Sequence, residues 1–177
     1  MKGKRRETQF ERIWDRYYSP LVVFCGSFSP LVAGEAEDMA QEVLVKVYRN
    51  LDKYDSAYTM STWVYRIARN HCIDTFRKCV RNRHVPLPPT LEAREPNPEE
   101  AAVTTEEMEL VESFLGSLGR NDRQMAFLRF HEEFKYREIS AVLDIPAGTV
   151  KYRIHEIRKG LKTFLQERGY EKGRSTA

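Results

Sequence analysis

A run of cationic and polar side chains near the C-terminal end of the chain has the spacing of a DNA-contacting helix. Val150, Ile154 and Ile157 recur at helical intervals, which turns the positions between them outward. The outward set is Lys151, Tyr152, Arg153, His155, Glu156, Arg158 and Lys159. These side-chain types can meet both the phosphates and the base edges of a major groove. The solvated face of an ordinary helix pair can carry the same residues.

The elements around this helix predict a helix-turn-helix. Ile139, Val142 and Leu143 give a preceding helix an apolar stripe, and Asp144-Ile145-Pro146 interrupts it. Leu161 extends the stripe of the second helix. In this motif the second helix enters the major groove, so the outward cations stand where DNA would lie.

A second cluster combines aromatic and cationic side chains on a predicted helix from about Ser61 to Arg81. Its inward stripe is Val64, Ile67, Ala68, Cys72 and Phe76. The outward and neighbouring positions are Trp63, Tyr65, Arg66, Arg69, Asn70, His71, Arg77 and Lys78. Unstacked single-stranded bases need a stacking surface and a cationic track, and this set offers both. A soluble amphipathic helix that binds nothing can look similar.

Two earlier helices are predicted to complete this N-terminal lobe. The first carries an apolar stripe from Phe10 to Phe28, with a kink expected at Pro20 and a stop at Ser29-Pro30. The second runs from about Gly34 to Leu51 and leaves an acidic outer side. The outer residues are Glu35, Asp38, Gln41, Glu42 and Lys46. The carboxylates can serve as a binding face, or they can simply stabilise the helix by interacting with the positive end of its dipole.

Charge and proline divide the chain into three parts. Residues 1–82 carry a net charge of +4, residues 83–112 a net charge of −6, and residues 113–177 a net charge of +5. The acidic middle contains Pro86, Pro88, Pro89, Pro96 and Pro98. Proline makes a chain locally stiff and extended, so we expect a linker that holds two lobes apart.

Composition excludes several classes of protein. With 31% charged residues and no apolar run near the roughly 20 residues that span a bilayer, the chain is not expected to enter a membrane. MKGKRRETQ has no apolar segment behind its charges, so we expect no secretory signal and a cytoplasmic location. We found no nucleophile elbow, phosphate-binding loop or HExxH motif, which argues against an enzyme, and we expect no cofactor.

The three cysteines do not predict a disulfide framework. Cys25, Cys72 and Cys79 are an odd number without a C-x2-C spacing. His71 and His84 could join Cys72 and Cys79 as metal ligands, but packed or exposed helix residues explain them as well. We therefore predict no metal site.

Three segments in this order resemble a bacterial extracytoplasmic-function (ECF) sigma factor of the sigma-70 family. They are AEDMAQEVLVKVYRNLDKYD (36–55), STWVYRIARNHCIDTFRK (61–78) and the stretch from Leu118 to Leu161. The resemblance covers nearly the whole chain and implies an all-α fold of two small helical domains joined by a flexible linker rich in proline and glutamate. Sigma domain 2 would span 1–82, the linker 83–106, and sigma domain 4, with its helix-turn-helix, 107–177.

The resemblance also implies roles for individual residues. The D-x-x-Q-E pattern falls on Asp38, Gln41 and Glu42, the family's docking site for core RNA polymerase. The implied minus-10 DNA-binding residues are Tyr54, Ser56, Tyr58, Ser61, Trp63, Tyr65, Arg66, Arg69, Asn70 and Arg77. The G-T-V-K-x-R pattern begins at Gly148 and adds Thr149 to the seven outward residues above as minus-35 contacts.

Two residues depart from the family pattern. Tyr152 stands where a small serine is usual, and Glu156 stands where a basic residue is common. Glu156 can accept a hydrogen bond from cytosine N4, which would give a different base preference from that of a lysine. It can equally form a salt bridge with Lys159 or repel phosphate.

The resemblance therefore implies an alternative sigma factor. Its expected partners are core RNA polymerase, double-stranded minus-35 DNA, single-stranded minus-10 DNA and an anti-sigma factor. A DNA-binding regulator that uses only the C-terminal motif is an alternative, with the N-terminal lobe serving for dimerisation or effector binding. An RNA-binding adaptor that uses the aromatic and basic N-terminal lobe is a third reading.

Overall fold

The computed structural model describes residues 2–28, 35–82 and 106–170, and all regular elements within these ranges are helical. Three helices form the N-terminal lobe: α1 (Lys2–Gly26), α2 (Glu35–Asn50) and α3 (Met60–Asn82). A short 3-10 turn, Leu51–Lys53, follows α2. The predicted stop at Ser29-Pro30 lies outside the described residues, while α1 continues through Pro20 to Gly26. The predicted all-α class is confirmed.

The predicted apolar stripes form the core of this lobe. Leu21 and Phe24 of α1 are fully buried, as are Val43 and Val47 of α2. Phe10 and Trp14 are only partly buried, because they pack at the edge of the cluster. Burial of a side chain of this size stabilises a fold by about 1.5 to 3 kcal/mol relative to its exposure. Helical periodicity alone thus located most of this core.

Between residues 106 and 170, four helices form the C-terminal lobe. They are α4 (Glu106–Ser117), α5 (Arg120–Ala126), α6 (Tyr136–Leu143) and α7 (Ala147–Gln166). A π-helical segment, Phe127–His131, extends α5. Phe114 of α4 packs on Phe164 of α7, with ring centroids 5.5 Å apart. The sequence predicted α6 and α7 as the helix-turn-helix, and α4 and α5 brace that motif.

The turn between α6 and α7 has a specific backbone shape. Asp144 ends α6 in the left-handed region, at φ 51° and ψ 48°, which a short polar side chain tolerates better than a branched one. Pro146 stands immediately before α7, where its missing N–H costs no helical hydrogen bond. These two residues set the direction in which α7 leaves the turn.

The two lobes pack against each other, which corrects the expectation that the linker holds them apart. Phe134 and Phe127 of the C-terminal lobe enclose Tyr65 of α3, at ring distances of 5.5 and 6.1 Å. Arg120 lies over the ring of Phe76 at 4.1 Å. Packing of these rings removes apolar surface from water, which stabilises the contact between the lobes. The linker itself, up to α4, lies outside the described residues.

Phe24 offers a direct test of this core. Its side chain is fully buried and contacts the rings of Tyr65, Phe28 and Phe127. Phe24→Ala should lower the free energy of unfolding by about 3 to 5 kcal/mol, measured by urea denaturation. The neighbouring Val23, 58% exposed, is the matched control, and Val23→Ala should change stability by less than about 0.5 kcal/mol. Equal losses for the two variants would contradict the packing.

Candidate nucleic-acid interface

The predicted recognition face lies on the outside of α7. Val150, Ile154 and Ile157 are buried against the rest of the lobe, as predicted. Seven of the eight predicted minus-35 residues are exposed, and Glu156 is half-buried. Tyr152 is 61% exposed, so an aromatic ring stands free on the face where the family usually carries a serine. The α7 surface thus presents cations and a ring together to solvent.

Two arginines of this face already have partners within the lobe. Arg153 forms a bidentate ion pair with Asp122 of α5, in which Nε donates to Oδ1 at 2.9 Å and Nη2 donates to Oδ2. Arg158 stacks over the ring of Phe130 at 5.2 Å. Glu156 and Lys159 form no ion pair with each other among the described side chains. The salt bridge considered for Glu156 is therefore absent from this structure.

The loop before α3 forms a small aromatic platform. The Tyr54 hydroxyl donates to the carbonyl of Tyr58 at 2.8 Å, and the ring of Tyr54 meets Trp63 edge-on at 5.4 Å. Arg66 lies over the ring of Tyr58 at 4.9 Å. Ser56 is exposed beside them. The structure thus brings together four of the predicted minus-10 residues, Tyr54, Tyr58, Trp63 and Arg66, in one stacking and cationic surface.

Other predicted minus-10 residues are spread along α3. Asn70 and Arg77 are exposed, whereas Arg69 is half-buried and its pKa is lowered, chiefly by that burial. The hydroxyls of Ser61 and Tyr17 share a 2.7 Å hydrogen bond, so Ser61 also ties α3 to α1. These residues extend the surface but do not converge on one point.

Tyr65 is not on this surface. It is fully buried between the lobes, and in this arrangement it cannot touch DNA. Burial raises the pKa of its hydroxyl well above the ordinary value, and the carboxylate of Glu132 raises it further. The outward placement of Tyr65 was wrong, because the helical pattern shows one inward stripe on α3, while the C-terminal lobe covers a second one. Its role at minus-10 DNA stays a prediction.

The predicted docking residues are exposed on α2. Asp38, Gln41 and Glu42 all face solvent, but Glu42 also reaches a buried histidine of α3. Its Oε2 lies 2.9 Å from Nε2 of His71, and Lys46 Nζ donates to His71 Nδ1 at 2.6 Å. His71 was expected near the outer face of α3, yet it is buried and links α3 to α2.

The buried sulfur and imidazole groups are structural. Cys72 Sγ donates to Cys25 Sγ at 3.5 Å, and this contact together with burial raises the pKa of the Cys25 thiol above its ordinary range. His71 has a lowered pKa, mainly because burial disfavours the imidazolium and secondly because Lys46 repels it. His71 and Cys72, two of the imagined metal ligands, thus have separate partners on α2 and α1.

Sequence reasoning missed three positions that contribute to the site. Asp122 holds Arg153, Glu132 pairs with Arg16 across the lobes at 3.3 Å, and Glu138 accepts a 3.4 Å hydrogen bond from Thr59 in the aromatic loop. All three are carboxylates close in sequence to the predicted motif. Their charge was visible, but their partners lie 31 or more residues away along the chain.

Two family models match the chain. The model of sigma-70 region 2 matches residues 13–82, and the model of sigma-70 region 4 matches residues 108–161. Together they cover the second half of α1, all of α2 and α3 with the loop between them, and most of the helix-turn-helix lobe.

A relative of known type shows which subgroup of sigma-70 proteins the chain resembles. The chain is 34% identical over 143 residues to the ECF RNA polymerase sigma factor SigW of Bacillus subtilis, spanning 75% of this chain and 76% of that protein. The chain belongs to the ECF sigma factors of the sigma-70 family. It is an alternative sigma factor, and its function is to direct promoter-specific initiation of transcription.

Further similarities agree with this assignment. The sigma factor shares 27% identity over 173 residues with the sigma-E factor of Escherichia coli K12, covering 92% of this chain and 90% of that protein. Its fold resembles that of the sigma factor RpoE of Bartonella quintana, solved with the anti-sigma factor NepR, at a TM-score of 0.71 and 23% identity. The match covers 89% of this chain and 97% of RpoE. None of the described helices is long and apolar enough to cross a membrane.

The buried histidine predicts a pH dependence of stability. Because the folded pKa of His71 lies below its unfolded value of 6.5, the unfolded chain binds a proton more readily below that pH. The free energy of unfolding should therefore fall as pH drops below about 6.5, by at most about 1.4 kcal/mol per pH unit for this residue. His71→Gln should remove this part of the slope between pH 7.5 and 5.5.

The exposed His155 of α7 provides the matched control. His155→Gln should leave the pH slope of the unfolding free energy close to that of the wild type. A His71→Gln variant with an unchanged slope would contradict the assignment of a neutral, buried imidazole.

Proposed function

We propose that the sigma factor binds core RNA polymerase through α2, recognises minus-35 duplex through α7, and captures minus-10 single strand on α3 and its preceding loop. The observation that carries this proposal is the exposure of three chemically different faces on one chain. The faces are an acidic patch, a platform of rings and arginines, and a cationic recognition helix. A regulator with only a helix-turn-helix would need the last face alone.

The docking proposal rests on exposure and charge. Asp38, Gln41 and Glu42 lie on one side of α2, and their side chains take little part in the core. Family resemblance assigns this position to the coiled coil of the largest polymerase subunit. The close contact between Glu42 Oε2 and His71 Nε2, which lie 2.9 Å apart, limits the positions open to one of the carboxylates and so reduces the entropy lost when a partner binds.

The minus-10 proposal rests on the platform of Tyr54, Tyr58, Trp63 and Arg66. Stacking of a single-stranded base on a ring is worth about 1 to 3 kcal/mol, and a neighbouring guanidinium attracts the phosphates of the DNA strand. Ser56 and Ser61 supply small hydroxyls beside it, while Arg69, Asn70 and Arg77 continue the track. Tyr65 can join this surface only after the lobes separate.

The minus-35 proposal rests on the outer face of α7. Lys151 and Lys159 can neutralise phosphates, and the exposed ring of Tyr152 can contact a thymine methyl or the backbone. Thr149, Arg153, His155, Glu156 and Arg158 complete the proposed set. The helix-turn-helix fixes how this face enters a major groove.

We propose that the protein catalyses no reaction itself, because its exposed carboxylates, rings and cations are dispersed over three binding faces. We place the protein in the cytoplasm, where core polymerase and the genome are found. We also propose an anti-sigma factor as a partner. Support for this comes from the similarity in fold to RpoE, which was solved in complex with NepR.

Charge reversal on α2 tests the docking assignment. Asp38→Lys combined with Glu42→Lys should weaken core polymerase binding by on the order of 100-fold, because like charges replace an attraction at a desolvated contact. Binding is measured by fluorescence anisotropy of the labelled sigma factor. The single variant Asp38→Lys, which leaves His71 and its partners intact, should account for a large part of this loss.

Glu37→Lys is the matched control, since Glu37 is exposed on the same turn of α2 but lies outside the D-x-x-Q-E pattern. It should bind core polymerase nearly as well as the wild type. The docking assignment is wrong if the double variant, with native helical content, binds polymerase as tightly as Glu37→Lys.

A further inference from the structure

We propose that Asp122 is a positioning residue that sets Arg153 to read a guanine in the minus-35 element. This inference rests on the proposed recognition of minus-35 DNA by α7. A free arginine on a DNA-facing helix can contact phosphate or base, and the sequence leaves the choice open. The structure contains an interaction that distinguishes the two roles.

The Asp122 carboxylate occupies one edge of the guanidinium. It accepts from Nε and from Nη2 of Arg153, which leaves Nη1 and the second Nη2 hydrogen directed away from the carboxylate. Asp122 is mostly covered, with a side-chain exposure of 14%, whereas Arg153 is 48% exposed. The paired edge therefore faces the protein, and the remaining pair of donors is the one available to DNA.

Two parallel donors at the end of a guanidinium match the O6 and N7 acceptors of guanine. A phosphate contact needs no such alignment, because it fixes register without reading sequence. Holding the side chain in the free protein also removes part of the rotamer entropy that an arginine can lose on binding. The ion pair thus favours a base contact over a phosphate contact.

Charge supports the same conclusion. Asp122 cancels the charge of Arg153 at close range, so the pair as a whole attracts phosphate weakly. Lys151, on the same exposed face, has no carboxylate partner among the described side chains. We therefore expect Lys151 to provide sequence-independent attraction, while Arg153 provides discrimination at one base pair.

The test uses holoenzyme formed from full-length sigma factor and core polymerase, with selection from promoters randomised in the minus-35 region. Wild type should select a guanine at one position. Asp122→Asn and Arg153→Ala should both relax that position by about tenfold or more and leave the other positions unchanged. Lys151→Ala should weaken all sequences alike and reduce the salt dependence by about one charge.

Asp144→Asn is the matched control, because Asp144 lies in the turn of the same motif and makes no contact with Arg153. It should keep the guanine preference. Retention of that preference by a folded Asp122→Asn holoenzyme would overturn the positioning role. If wild type selects no sequence at all, the proposed minus-35 recognition fails instead.

Discussion

The burial of Tyr65 is the contact on which the arrangement of the molecule depends. Its ring belongs to α3, yet it packs against Phe24 in its own lobe and against Phe127 and Phe134 in the other. The helix that presents Arg66 and Asn70 to solvent therefore also forms the interface between the lobes. Any partner that uses the full length of α3 must compete with that aromatic cluster.

Three carboxylates share a property. Glu132, Glu138 and Asp122 each join segments that are far apart in sequence, and each contacts an arginine or a hydroxyl of the distant segment. Isolated exposed ion pairs contribute little to stability, about 0 to 1 kcal/mol. Their value here lies in geometry, because they decide which donors of Arg153 point away from the protein's own carboxylate and how the lobes meet.

Helical periodicity predicted five of the helices, namely α1, α2, α3, α6 and α7. The turn residues Asp144 and Pro146 predicted the break between α6 and α7. Residue type also predicted the exposed faces of α2 and α7, since only their outward positions are charged. The packing of the two lobes could not be predicted. A helix that is buried on two sides has a second buried face, and that face cannot be recognised from its sequence until the surface that covers it is known. Tyr65 was misplaced for that reason, and the restraint of Arg153 was missed because Asp122 lies 31 residues away.

The most direct test of the account is single-round transcription in vitro, with core polymerase, the purified sigma factor and a library of genomic fragments. The account predicts transcripts only from fragments that share a two-part motif. Substitution of either part should abolish the transcript, and core polymerase alone should give none of these products. Transcription no greater than that of core polymerase alone, or transcription that requires only one of the two parts, would contradict the account.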